Sequence, residues 1–216
     1  MAKIFAVSAR AVVARIFDAP ARALLRMGVS PNAVTVTGTL GVIAGAFVFA
    51  LTGRFILGTV IITLSAFTDL IDGAMARARG TDHGKFGAFL DSTCDRIADG
   101  AIFGAAAYWL AVHGRHWGAC AALVSLVAGV AVSYAKARAE GLGMTANVGL
   151  VERAERLVGI GIGGLLTGFG VTYGIDVVLV ILAVASIVTL FQRMATVYQQ
   201  DRAALRAATE EPEPGA

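Results

Sequence analysis

The chain has 216 residues, 57% hydrophobic and 15% charged, with 18 lysines and arginines against 15 aspartates and glutamates and a formal net charge of +3. A mean hydropathy of +0.74 excludes an ordinary water-soluble domain and points to an integral membrane protein, all-α and polytopic, with no nucleic-acid partner. The 26 glycines allow helices to approach closely in lipid.

Residues 1–30 form the first segment. Ile4, Phe5, Val7, Val12, Val13, Ile16, Phe17, Leu24 and Leu25 interleave with Arg10, Arg15, Arg22 and Arg26. The pattern predicts an amphipathic juxtamembrane helix on an anionic membrane face, bent or divided at Pro20. The arginines interrupt each apolar run, so no cleavable signal is expected.

Residues 31–200 carry six apolar stretches, at 33–52, 55–78, 86–112, 117–140, 151–171 and 175–199. Each is near the roughly 20 residues that a helix needs to cross a core about 30 Å thick. Ser30-Pro31-Asn32 opens the first, with serine as cap and proline in the first turn. Short connections and the lack of long alternating segments argue against a barrel. Cys94 and Cys120 have no metal-like or redox spacing and read as packing residues. The end of the chain, 201–216, with Glu210-Glu211-Pro212-Glu213-Pro214, reads as a disordered tail.

Lysines and arginines set the orientation. Lys3 to Arg26, then Arg77, Arg79 and Lys85, then Lys136, Arg138, Arg153 and Arg156, then Arg193, Arg202 and Arg206 fall on one side of the six spans, whereas Arg54 and Arg115 fall on the other. The positive-inside rule places both termini and the aspartate-bearing connection in the cytoplasm.

That connection carries the chemistry. Asp69, Asp72, Gly73, Ala76 and Arg77 share an arc of about 140° on the second span, and Gly87, Asp91 and Asp95 an arc of about 80° on the third. Antiparallel helices joined by a short loop can turn these faces together and gather four carboxylates, which cannot all ionise without a cation. Hard oxygen ligands favour Mg²⁺, or Mn²⁺, over zinc. The bare patch of Gly73 and Ala76 beside Arg77 suits a diphosphate bridged by cation and guanidinium. Arg96 and Asp99, next to that face, read as helix-pairing residues.

The string D-x2-D-G-x2-A-R-x9-G-x3-D-x3-D resembles the signature of the CDP-alcohol phosphotransferases, membrane enzymes that move a substituted phosphate from a CDP-linked donor to an alcohol. By position, the resemblance implies Asp69, Asp72, Asp91 and Asp95 as ligands of one or two divalent ions and Asp95 as general base. It also implies Gly73, Ala76, Arg77 and Gly84 at the donor, together with Asn32, Ala33, Val34 and Thr35 of a P-N-x-x-T element, and a homodimer.

A second basic cluster bears on the acceptor. Arg153, Arg193 and Lys136, with Arg138 and Arg156 behind them, suit an acceptor that itself carries phosphate. The alternative for each is a helix-end cation reaching lipid phosphates. Ser133 to Glu140 and Glu152 to Arg156 resemble the phosphatidylinositol-phosphate synthases of actinobacteria, implying CDP-diacylglycerol as donor, inositol phosphate (1D-myo-inositol 3-phosphate) as acceptor and residence in a bacterial plasma membrane. Glycerol 3-phosphate as acceptor is the alternative within this chemistry. A cation transporter is the alternative outside it, although neither broken helices nor inverted halves are visible.

Overall fold

The computed structural model describes residues 17–78 and 85–210, and among them every regular element is a helix. In chain order these are α1 over 17–26, α2 (Pro31–Thr52), α3 (Phe55–Ala66), α4 (Thr68–Ala78), α5 (Lys85–Val112), α6 (His116–Gly141), α7 (Arg153–Gly168) and α8 (Gly174–Glu210). The chain forms two compact units, one ending at Trp109 and the other beginning at Leu110.

In the first unit, Ser30 caps α2 by accepting from the Ala33 amide at 3.2 Å, Pro31 occupies the first turn, and Gly53 closes the helix in the left-handed conformation (φ 65°). Helices α2 and α3 pack backbone to backbone: a Cβ on Gly58 would stand 2.9 Å from the Gly45 carbonyl oxygen. Phe55 bridges Phe49 and Trp109, with ring centroids 5.1 and 4.6 Å away.

The predicted span over 55–78 is interrupted. Helix α3 stops at Ala66, and Phe67 separates it from α4. Here the Leu70 amide reaches back only to the Phe67 carbonyl, and the Thr68 hydroxyl donates to the Ser65 carbonyl at 2.6 Å. A side chain that competes for a helix carbonyl is a recognised cause of bending.

Helix α1 packs against residues of α2 and α4. Ala21 is fully buried with Val34, Ala74 and Met75, surrounded by Phe17, Leu24, Leu25, Val29 and Ile71. Pro20 lies within α1 and does not divide 17–26. Of the predicted amphipathic segment, residues 1–16 lie outside the described residues.

In the second unit α8 packs on both α6 and α7. Gly163 of α7 lies against the Ile175 backbone, and the Thr167 hydroxyl accepts from the Ile175 amide at 2.9 Å. Asp176, fully buried near the start of α8, pairs with Arg115, whose Nε is 3.1 Å from Oδ1. Gly118 leaves the room this carboxylate occupies. Burial pushes the Arg115 guanidinium below its usual pKa, and the adjacent Tyr173, whose ring lies 5.1 Å from the guanidinium carbon, opposes that shift.

Among the described residues, four segments are long and apolar enough to cross a bilayer: Pro31–Thr52, Phe55–Ala78, His116–Gly141 and Gly174–Ala207. The remaining two expected spans are helical but differ in character. Helix α5 has 28 residues yet carries Asp91, Asp95, Arg96 and Asp99, and α7 has only 16 residues and begins with Arg153, Glu155 and Arg156. Helix α8 continues through Asp201 to Glu210, so the expected tail over 201–216 is helical in its first part, while 211–216 lie outside the described residues. Of the two cysteines, Cys94 is buried, but Cys120 is exposed and does not pack inside the protein.

Replacing Asp176 with alanine strands a largely buried guanidinium. The expected loss is about 3–5 kcal/mol, read as a lowered unfolding midpoint in detergent against an Asp201→Ala control on the exposed end of α8.

Candidate active site

The candidate site acids of the first unit sit on two helices, α4 and α5. Helix α4 carries Asp69 in its first turn and Arg77 in its last, each at the end where the helix dipole favours its charge. Asp72, one turn in, is 2% exposed, and the Thr35 hydroxyl of α2 donates to its Oδ2. That hydroxyl also lies 3.2 Å from the Pro31 carbonyl, so the Ser30-Pro31 cap and the acid are tied through one side chain.

Asp69 and Asp91 are half-buried and near enough to Asp72 for their charges to act on it. Asp95, one turn beyond Asp91 on α5, has a side chain 18% exposed, and Arg96 Nη2 lies 3.4 Å from its Oδ2. Arg96 thus reaches an acid of the site itself. Asp99, a further turn along, is 2% exposed. Among the described residues, no three His, Cys, Asp or Glu side chains converge on one point at metal distance as they stand. The donor set of carboxylate oxygens from two helices nevertheless fits a hard divalent ion.

Beside the acids, Gly73 is half-buried, and a Cβ placed there would meet only the Arg77 Nη1, at 3.5 Å. Ala76 is buried and Arg77 exposed. The face expected to admit a diphosphate is therefore open at Gly73, with a guanidinium at its edge, and closed at Ala76, which is 5% exposed. Asn32 is half-buried, Ala33 exposed and Val34 buried. Thr35, which the family resemblance places at the nucleotide, has its hydroxyl on Asp72. Gly84 lies outside the described residues.

The basic cluster belongs to the second unit. Arg193 is 2% exposed and gives Nε to the Val148 carbonyl (3.0 Å), Nη1 to the Val132 carbonyl (2.8 Å) and Nη2 to Glu152 (3.1 Å). Arg156 is 1% exposed and lies over Gly129, where a Cβ would come within 3.0 Å of its Nε. The two guanidiniums are close enough to act on one another electrostatically. Arg153 and Lys136 are half-buried, and Arg138 is exposed in the last turn of α6.

Sequence reasoning missed the groups that hold these cations. Glu152 both pairs with Arg193 and forms a capping box with Glu155 at the start of α7. The E-x-x-E spacing signalled that box, and the pairing had no local signal.

A model of the CDP-alcohol phosphatidyltransferase family matches residues 28–198. The phosphatidylinositol phosphate synthase of Streptomyces avermitilis is 51% identical over 202 residues, 89% of this chain and 82% of that protein. Its counterpart in Corynebacterium glutamicum is 44% identical over 181 residues, 83% of this chain and 82% of that protein. The crystal structure of Mycobacterium tuberculosis phosphatidylinositol phosphate synthase with CDP-DAG bound superposes with a TM-score of 0.81 at 40% identity, covering 85% of this chain and 94% of that one. The same enzyme in complex with manganese and citrate gives a TM-score of 0.80, also at 40% identity, over 84% of this chain and 88% of that one.

Thr35→Val keeps the shape of the side chain and removes its hydrogen bond to a buried carboxylate. With Asp72 as a ligand, as the resemblance implies, loss of this hydrogen bond is expected to weaken divalent-cation binding by about 10–100-fold, measured by the free Mn²⁺ signal in an electron paramagnetic resonance titration.

Proposed function

From a chain that belongs to the CDP-alcohol phosphatidyltransferase family, we propose phospholipid synthesis at the cytoplasmic face of a bacterial membrane: transfer of the phosphatidyl group from CDP-diacylglycerol to 1D-myo-inositol 3-phosphate, releasing CMP. The observation that carries this is that phosphatidylinositol phosphate synthases, among them relatives 51% and 44% identical, match over most of the chain. The carboxylates of α4 and α5 support it as a donor set suited to a hard divalent ion.

Asp69, Asp72, Asp91 and Asp95 would hold a divalent ion, which when bound would supply positive charge to the donor diphosphate. Arg77 lies along that diphosphate, and the open backbone at Gly73 lets it approach the helix. Asp95 accepts the proton of an inositol hydroxyl, and the contact with Arg96 orients its carboxylate. The hydroxyl oxygen bonds to the phosphorus that bears diacylglycerol, the phosphoanhydride bond breaks, and CMP departs with its electrons. Positioning and charge stabilisation supply most of the acceleration.

Arg153, Arg193 and Lys136, supported by Arg138 and Arg156, take the acceptor phosphate. Arg193 retains donors for this, because a guanidinium has more N–H groups than its bonds to Val148, Val132 and Glu152 use. We place α5 and α7 across the bilayer with the four longer apolar segments, giving six crossings. Support comes from their helical form and from the one-sided distribution of lysine and arginine.

Purified protein with CDP-diacylglycerol, Mg²⁺ and a panel of alcohols, scored by CMP release, tests the acceptor. Turnover is expected with inositol phosphate, and activity confined to glycerol 3-phosphate would overturn the assignment. Asp95→Asn is expected to bind CDP-diacylglycerol but release CMP about 10²–10⁴-fold more slowly; near-normal release would remove it from the role of base.

A further inference from the structure

Between α6 and α7, residues 142–152 have almost no regular structure, yet Ala146 is fully buried. Backbone groups without a ladder need partners from elsewhere. Helix α8 provides them with three side chains. Gln200 reads Thr145 on both sides, accepting from its amide at 3.0 Å and donating to its carbonyl at 2.6 Å. Arg193 donates to the Val148 carbonyl at 3.0 Å. Thr189, fully buried, accepts from the amides of Leu150 (3.1 Å) and Val151 (3.2 Å).

The Thr189 hydroxyl is used completely. Its own proton goes to the Ala185 carbonyl at 2.8 Å, within α8, which leaves both lone pairs for two successive amides. Gly149 makes the approach possible: it has φ +150°, and a Cβ there would collide with the Thr189 methyl. The segment is thus drawn flat against α8 immediately before Glu152, where Arg193 and the capping box fix the first turn of α7.

We propose that Thr189 is a positioning residue for the acceptor substrate, with Gln200 as its outer companion. The strap from Thr145 to Val151 sets the start of α7, and α7 presents Arg153 and Arg156. This rests on the reading of those arginines as acceptor-phosphate ligands. Thr189 touches no substrate; it acts through the segment it holds. Because it would position binding groups and not reacting ones, its loss belongs in the acceptor KM and leaves kcat alone.

The test uses full-length protein in detergent micelles. Thr189→Val, Thr189→Ser and Arg153→Ala are compared by hydrogen exchange over 145–152 and by initial rates with each substrate varied. Thr189→Val is expected to speed exchange over 145–152 by about 10-fold or more and to raise the inositol phosphate KM between about 10-fold and about 100-fold, with kcat and the CDP-diacylglycerol KM held. Thr189→Ser, which keeps the hydroxyl, restores both readouts.

Faster exchange with an unchanged acceptor KM overturns the proposal, as does an equal rise in both KM values. If Thr189→Val does not fold, Gln200→Ala is read by the same two measurements and the same criteria. Arg153→Ala separates the two layers. If it raises the acceptor KM while the strap variants do not, only the positioning role fails; if it leaves that KM unchanged, the acceptor reading fails and the proposal with it.

Discussion

An ionised group carried into an apolar helix bundle must be met there by something of opposite charge or by hydrogen bonds, because the surroundings offer little else. Asp72 meets the Thr35 hydroxyl, Asp176 meets Arg115, and Arg193 meets two carbonyls and Glu152. In each case the partner comes from a different helix or connection. The charges therefore act as registration marks between elements whose apolar contacts alone would allow sliding. The same demand accounts for the place of Asp69. Asp69 stands in the first turn of α4, just after the interruption at Phe67, where unsatisfied amides favour a carboxylate.

Small residues do the complementary work. Gly58 brings α3 onto the backbone of α2, Gly118 leaves space for Asp176, and Gly129 leaves space for the Arg156 guanidinium. The glycines counted in the sequence thus divide into two kinds. Some close the distance between helices, as expected in lipid. Others make a chamber for one polar head, so that a charged side chain can be buried without forcing its neighbours apart.

Much of the candidate site was legible because its residues obey a local period. Asp69, Asp72, Gly73 and Arg77 on α4, and Asp91 with Asp95 on α5, need only a helix and its repeat to be placed on one face. The cap at Ser30 and Pro31 was legible for the same reason. What escaped was set by contacts distant in sequence. Thr35 and Asp72 are on different helices, and nothing near either residue announces their bond. The break at Phe67 depends on a threonine hydroxyl choosing a carbonyl, in a stretch whose hydropathy is uniform. Helix α8 runs past residue 199 despite a polar composition that suggests disorder, because Asp201 to Glu210 holds no residue that stops a helix. Of the six apolar stretches in the sequence, four satisfy length and composition among the described residues, since α5 spends its apolar capacity on acids and α7 is short.

Gly149 and Thr189 also constrain how this chain can vary over time. Shrinking Thr189 to serine would remove the methyl that faces Gly149, but the backbone there would still stand at φ +150°, which a side chain rarely tolerates. The dependence therefore runs in one direction. Position 189 can drift only among small residues that carry a hydroxyl, while position 149 has no neighbouring change that would release it. A mutational path that rebuilds this connection cannot begin at the glycine, and any lineage that lengthens or reshapes the loop must first find another way to satisfy the amides of Leu150 and Val151.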